Sequence, residues 1–397
     1  MRSVRYSHGM SSDTTWLSAS DCSLEDFQAV VEQTTSLADY PHAVSIDQNV
    51  VIYDCAAWRA GMLEREPRRE LQAELIRVFL TGPGIAVFRG AFDDVETVDN
   101  ASSVFQGMIA DQHASGLSSG DHFAKPGSND RVWNALEKLA HRDPAVFCSY
   151  YSNDIIALVC AAWLGPGYQV TSQVNVVNPG GAAQEPHRDY HLGFQTDVAA
   201  EQFPLHVHRM SPQLTLQGAV AHTDMPIASG PTVYLPYSQC FDGGYLAWRR
   251  ADFNAYFWDR HTQLPLQKGD AVFFNPAVFH AAGHNTTADV YRMANLLQVS
   301  SPFGRAMEIV DRYAMTRTVV PVLQALFSAG VSCPTLRNVI ASCADGYAFP
   351  TNLDRDQPID GSTPESQAQL AWRAVEELWP LARLEAELEA HAARREP

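Results

Sequence analysis

Two histidines and an aspartate fall within five positions in "HRDYH", His187 to His191, shortly after a Pro-Gly-Gly turn at 179–181. In extended chain, side chains two apart share a face. His187 and Asp189 then project together while Arg188 points the other way. An imidazole and a carboxylate side by side can take adjacent positions on a first-row metal. One more histidine completes a 2-His-1-carboxylate set, which leaves positions open on Fe(II). A candidate stands in "FFNPAVFHAAGHNTTADVYRMANLL" (273–297): His280, after a strand and an Asn-Pro break, with His284 competing from a Gly-His-Asn turn. Twelve residues beyond His280, Arg292 lies inside the next expected strand, with Val290 and Ala294 on its own face. A buried guanidinium needs an anion. If no protein carboxylate meets it, the carboxylate of a bound cofactor can.

Other pairs compete on spacing. His222 and Asp224 in "AVAHTDMP" form a second HxD that runs into Pro226 and a loop. His206 and His208 in "LHVHRM" alternate like a metal pair on a strand, but no carboxylate follows, and a polar face or pocket wall is the simpler reading. His191, Tyr190 and Phe194 read as neighbours of the motif rather than ligands.

Elements must hold these residues in place. "YQVTSQVNVVN" (168–178), "QLTLQGAVAH" (213–222), "TVYLPYS" (232–238), "DAVFFN" (270–275) and "VYRMANLLQVS" (290–300) are β-branched, aromatic or alternating, and Gly, Pro, Asn and Asp separate them. Short strands clustered this way suggest a sandwich or jelly roll. Helices flank the block. Residues 23–38 open with Ser23 as N-cap and Asp26 three residues on. In 66–84 the stripe Leu71, Leu75, Ile76 and Phe79 ends at Gly82-Pro83-Gly84, and "IAVFRG" (85–90) follows as a buried strand. A further helix is expected in 93–110. "NDIIALVCAAWLG" is apolar on nearly all sides and so reads as a buried helix. The loop-like stretch 116–130 precedes it. Residues 363–396 read as helix, with Thr363 as N-cap, Pro364 at N1 and a break or kink at Pro380. Three regions result: a helical extension at 1–66, a β core at 67–305 and a helical region at 306–397.

At this point the residues carry a resemblance. "HRD" (187–189), "ASGPTVYLPYS" (228–238) and "KGDAVFFNPAVFHAAGHN" (268–285), followed by Arg292, resemble the phytanoyl-CoA dioxygenase family, a branch of the Fe(II)/2-oxoglutarate oxygenases. The resemblance spans roughly 67–305. It implies a mainly β core with flanking helices, folded as a cupin-like double-stranded β-helix. It also implies Fe(II) on His187, Asp189 and His280, and 2-oxoglutarate held by Arg292. Gln173, on the strand leading to the HxD turn, and Asn175 on the same face are the weaker cofactor contacts it suggests. Two positions depart from some members: Ala282 stands where a hydroxyl occurs, and Ala219 where a Trp occurs. These bear on the substrate more than on the chemistry. In related halogenases a small residue vacates the carboxylate position, so Asp189 favours hydroxylation, desaturation or ring closure of a small molecule with dioxygen. A cupin-like Zn or Mn enzyme without 2-oxoglutarate and a non-catalytic binding barrel are the alternatives.

Bulk properties bound the partners. The 397 residues are 46% hydrophobic and carry a formal charge of -17. Such a surface repels phosphate backbones and anionic lipid, which argues against nucleic acid, a membrane surface or a basic coenzyme A site. The seven cysteines show no CxxC spacing and read as reduced thiols of a cytoplasmic protein. The longest apolar run, "IIALVCAAWL" (155–164), is short of the roughly 18 residues of a membrane span. The Leu/Ala/Trp stripe of the C-terminal helices reads as packing, as a homodimer contact, or as a cover over the site.

Overall fold

The β-branched segments form two sheets, in a computed structural model that describes residues 15–59, 64–116, 128–348, 351–358 and 363–396. The strands are β1 (Ser45–Asp47), β2 (Val50–Asp54), β3 (Ile85–Arg89), β4 (Asn129–Val132), β5 (Gln169–Val177), β6 (Thr215–Ala221), β7 (Val233–Leu235), β8 (Thr262–Gln263), β9 (Ala271–Phe274), β10 (Phe279–Ala281) and β11 (Arg292–Ser300). Eight form one sheet in the order β1-β2-β3-β9-β6-β11-β5-β4, and three form another in the order β10-β7-β8. Each expected strand segment contains one of them. Much of the expected loop at 116–130 lies outside the described residues.

The chain divides into two compact units. The first comprises the described residues of Met1–Asp93, Ser118–Arg131 and Asn175–Leu296. Here β2 and β3 pair in parallel, joined through the helix Arg65–Leu80, as a parallel pair requires a crossover. Leu71, Leu75, Val78 and Phe79 of that helix are buried; Ile76, expected in the stripe, is exposed, and Glu74 is buried in its place. The Glu74 carboxylate accepts from the Tyr53 hydroxyl at 3.0 Å, which makes its burial tolerable. Between the two sheets lie Ile52, Val87, Ala221 and Val272 from the large sheet and Tyr234, Leu264, Leu266 and Val278 from the small-sheet side. Two facing antiparallel-rich sheets with helices around them make this the mainly β, jelly-roll class.

The small sheet shows the alternation that matters for chemistry. Val233 and Leu235 of β7, with Phe279 and Ala281 of β10, face outward into a second apolar cluster. Tyr234 and His280, directly paired across the two strands, fall on the opposite, inter-sheet face. The outer cluster is closed by the helix Leu24–Val31, whose Ser23 N-cap accepts from the Asp26 amide as expected, although the helix is shorter than the stretch 23–38. Phe27 is fully buried, with ring centroids 5.1 Å from Phe279 and 5.1 Å from Phe253. Residues 15–59 thus carry two strands of the large sheet as well as helix. Phe27→Ala is expected to cost about 3–5 kcal/mol of stability, read from urea unfolding midpoints. A cost below about 1 kcal/mol would show that this helix adds little to the core.

The second unit comprises Asp94–Leu117, Val132–Val174 and Leu297–Pro397, in their described residues. Its helix Val95–Ala114 answers the expectation for 93–110. The helix Arg312–Ser328 is its centre and packs on Ala135–Arg142, Pro144–Tyr151, Cys333–Cys343, Gln367–Glu376 and Leu381–Arg395. Asp154–Leu164 is buried along most of its length, as its all-round apolar sequence requires. No single helix among the described residues is long and apolar enough to cross a membrane.

The C-terminal region differs from expectation at its start. Ser366, not Thr363, caps the helix Gln367–Glu376, through a capping box with Gln369. The reciprocal Ser/Gln bonds satisfy two orphan amides, which Thr363 with Pro364 cannot do. The break at Pro380 is as expected, and Leu381–Arg395 follows it. His391 is buried there, its ring bonded to the Tyr313 hydroxyl at 2.8 Å and to the Glu365 carbonyl at 2.9 Å. Burial lowers its pKa, opposed by the Glu365 bond and aided by Arg395 and Arg394. The unfolded chain therefore binds this proton more tightly than the folded one, and stability falls as pH drops below about 6.5. The melting temperature is expected to fall between pH 7 and pH 5, with a shallower slope in His391→Asn. Equal slopes would remove His391 as a source of the effect.

Candidate metal centre

The Pro-Gly-Gly turn returns the chain alongside β10. Gln184 donates its amide to the Ala282 carbonyl at 3.0 Å, and His187 and His280 exchange both backbone bonds, at 2.9 and 3.1 Å. They form an isolated antiparallel bridge rather than a long strand pair. Directly opposed residues carry their side chains side by side, and the two imidazole centroids are 4.5 Å apart. Asp189, two residues on, is pinned by its amide to the Pro276 carbonyl at 3.2 Å. The expected alternation holds: Asp189 joins the histidines and Arg188 turns away.

The donor atoms converge. Asp189 Oδ1 lies 3.6 Å from His187 Nε2, and Oδ2 lies 3.4 Å from His280 Nε2. Two neighbouring ligands of one ion, each bound at about 2.1 Å, sit roughly 3 Å apart. His187 Nδ1 meets the Glu185 carbonyl at 2.8 Å and His280 Nδ1 meets the Val278 carbonyl at 2.9 Å. A carbonyl only accepts, so each Nδ1 carries the proton and each Nε2 offers its lone pair to the centre. Burial alone would raise the Asp189 pKa. The neighbouring His187 and His280 imidazoles and the Gln217 amide outweigh it and hold the carboxyl well below the usual range. Nitrogen, nitrogen and carboxylate oxygen converging in this way suit a divalent first-row cation. Among the described residues this is the one group of three with metal-ligand spacing.

The competing residues are elsewhere. Asp224 accepts the Lys268 amide in a loop. His284 is exposed. His206 and His208 lie on the helix Leu205–Met210, not on a strand, so residues two apart do not share a face; His208 is buried against the Ala200 carbonyl. His191 bonds Ser211 Oγ at 3.0 Å.

Arg292 opens β11 and is 6% exposed. Burial lowers its pKa to about 10, with the Tyr234 hydroxyl acting in the opposite direction. Among the described residues its guanidinium has neither a hydrogen bond nor an ion pair. Tyr234 links it to the centre, being the cross-strand partner of His280. Of the weaker candidates, Asn175 accepts from the Asn129 side chain at 3.1 Å, and Gln173 is buried on the part of β5 that belongs to the second unit.

Gln217 was not singled out by sequence. It lies on β6, 4% exposed, and its Nε2 donates to Asp189 Oδ2 at 2.5 Å. The signal was a lone amide among small residues on one face of "TLQGAVA", the face that Ala219 and Ala221 turn to the inter-sheet core. Gln217→Leu keeps the volume and removes the donor. It is expected to weaken divalent-metal binding by roughly 10- to 100-fold, read by calorimetry; unchanged affinity would reduce Gln217 to packing.

Residues 72–294 match the phytanoyl-CoA dioxygenase (PhyH) family. The match takes in more than half of the chain, and the chain belongs to that family. It is similar to the Dioxygenase trt7 of Aspergillus terreus (strain NIH 2624 / FGSC A1156), 27% identical over 158 residues, 39% of this chain and 49% of that protein. The chain thus spans about half the length of the curated relative it matches. Among solved structures, it is similar to AviO1 from Streptomyces viridochromogenes Tue57, with 18% identity, 59% of this chain and 96% of that chain covered, and a TM-score of 0.42. It is also similar to the epimerase SnoN in complex with Fe3+, alpha ketoglutarate and nogalamycin RO, with 17% identity, coverage of 59% and 84%, and a TM-score of 0.39.

Proposed function

We propose that this chain is a non-haem Fe(II)/2-oxoglutarate-dependent dioxygenase that oxidises an unactivated C–H bond of a small-molecule metabolite. The observation that carries the reading is Arg292: a buried guanidinium with no partner among the described residues, under the electrostatic influence of Tyr234, the cross-strand neighbour of His280. That cation has no obvious task in a Zn or Mn hydrolase, whereas it suits a dicarboxylate cosubstrate.

Bound Fe(II) with 2-oxoglutarate and dioxygen supplies the oxidising power that no side chain has, releasing succinate and CO2. The chain supplies the rest. His187, Asp189 and His280 would hold the ion, and a three-ligand set of this kind would leave room for cosubstrate. The two Nδ1–carbonyl bonds fix the imidazole tautomers. Gln217 orients the carboxylate of Asp189. Arg292 offers a planar fork to the far carboxylate of the cosubstrate. Phe274, 4.8 Å from the His280 ring, and Tyr234, 5.1 Å from Phe274, form an apolar wall that excludes water from the histidine. Asp189 keeps a carboxylate where a halogenase would have none, which favours hydroxylation, desaturation or ring closure. The acidic chain favours a substrate without a large phosphate-bearing carrier.

The deciding experiment is an anaerobic titration of the protein with Fe(II), then 2-oxoglutarate, followed by visible absorption. A charge-transfer band is expected, and it is expected to fade in His187→Ala and His280→Ala. Metal uptake without a band would overturn the 2-oxoglutarate reading and favour a cupin-like Zn or Mn enzyme.

A further inference from the structure

We infer that Arg188 and Ser238 form a positioning lock that holds the His187–Asp189 turn against the strand carrying His280. The inference rests on the metal-site reading and adds residues that touch neither ion nor cosubstrate. It gives a task to the "LPYS" segment (235–238), which the proposed chemistry leaves unused.

Arg188 sits between the two ligands of the turn and is 2% exposed. Its Nη2 donates to the backbone carbonyls of Ser238 and Phe241, the latter at 3.1 Å. Its guanidinium lies over the rings of Tyr245 and Phe279, 5.0 and 5.2 Å from their centroids. Carbonyl dipoles and ring faces thus receive a charge that, among the described residues, no carboxylate within ion-pair distance meets. Ser238 completes the connection. Its hydroxyl accepts from the Phe279 amide at 2.7 Å and donates to the Leu235 carbonyl at 2.6 Å. Phe279 immediately precedes His280. One serine therefore binds Arg188 through its carbonyl and the His280 strand through its side chain, and each bond is one residue removed from a metal ligand.

The surroundings are shaped to this arrangement. A Cβ on Gly244 would lie 1.9 Å from Arg188 Cζ, and one on Gly193 would lie 2.1 Å from the Arg188 carbonyl oxygen. The two residues after Asp189 have positive φ, 64° at Tyr190 and 39° at His191. Non-glycine residues hold such angles only where packing over-determines them. The clamped Arg188 supplies that packing at the base of the turn. Lysine would not replace it, because a compact ammonium has no planar face to lie between two rings.

The test is anaerobic calorimetric titration of the whole protein with Fe(II), for the parent and for Arg188→Met, Arg188→Lys, Gly244→Ala and Ser238→Ala. Circular dichroism and melting temperature accompany each titration. Arg188→Met is expected to keep its secondary structure and to raise the Fe(II) Kd at least about tenfold, with Arg188→Lys restoring little. Gly244→Ala leaves every bonding group intact and pushes on the guanidinium alone; it is expected to weaken Fe(II) binding in the same direction. The visible band with 2-oxoglutarate should shift or weaken in parallel, which a merely structural residue would not cause. The lock is overturned if Arg188→Met and Gly244→Ala both bind Fe(II) within about twofold of the parent while melting at lower temperature. If Arg188→Met does not fold, Gly244→Ala and Ser238→Ala decide by the same criterion. A parent that takes up no Fe(II) overturns the metal site and the lock together; a parent that binds like its variants overturns the lock alone.

Discussion

Asp189→Ala is expected to lose turnover to background and to bind Fe(II) at least about 100-fold more weakly than the parent, because loss of a mere supporting contact already costs roughly 10- to 100-fold. Asp189 is the only anion in the donor set. Its carboxylate is held ionised by the neighbouring His187 and His280 imidazoles and the Gln217 amide, against the effect of burial. Removing it leaves two neutral imidazoles to hold a doubly charged ion. It also removes the Asp189 acceptor of the 2.5 Å bond from the Gln217 amide. Calorimetry with Fe(II) and succinate release separate the two losses. Retained turnover in this variant would remove Asp189 from the site.

Arg292→Ala is expected to spare Fe(II) binding and to weaken 2-oxoglutarate. Truncating one partner of a buried, hydrogen-bonded charge pair costs about 2–5 kcal/mol, or roughly 30- to several-thousand-fold in affinity. The measurement is a 2-oxoglutarate titration of the Fe(II)-loaded protein, followed by the visible band. Unchanged apparent affinity would leave Arg292 without a role in cosubstrate binding. A second consequence has the opposite sign. With no anion bound, Arg292 is a buried cation with no partner among the described residues, and burial has already lowered its pKa to about 10. Replacing an uncompensated buried charge with an apolar side chain of similar length relieves that cost. Arg292→Met is therefore expected to melt at a higher temperature than the parent without 2-oxoglutarate, and to lose the stabilisation that 2-oxoglutarate gives the parent.

The candidate ligand pair was legible because its signals are local. His187 and Asp189 are two residues apart, and the period of extended chain puts them on one side wherever the segment ends up. Arg292 was legible because a lone cation in an apolar run is costly wherever the run is buried. Long apolar or β-branched segments, such as 85–89 and 292–300, likewise announced their strands. Boundaries were less secure where two caps competed: Thr363-Pro364 and Ser366 are both plausible starts, and only the reciprocal bond from Gln369 selects the second.

Tertiary structure decided which histidine completes the set and what surrounds it. His280 and His284 are four residues apart and chemically equal, but His280 falls on β10 opposite His187 while His284 lies beyond the strand in solvent. His206 and His208 shared a face only if they were on a strand; a helix separates them. Gln217 and Ser238 meet the turn at 187–189 from 28 and 50 residues away in sequence. No periodicity relates such partners, because their pairing depends on sheet register and on which face of a short strand turns inward. Residue types and the alternation of extended chain aim the candidate ligands; the register of β10 against the HxD turn, closed from outside by Phe27, sets where they converge.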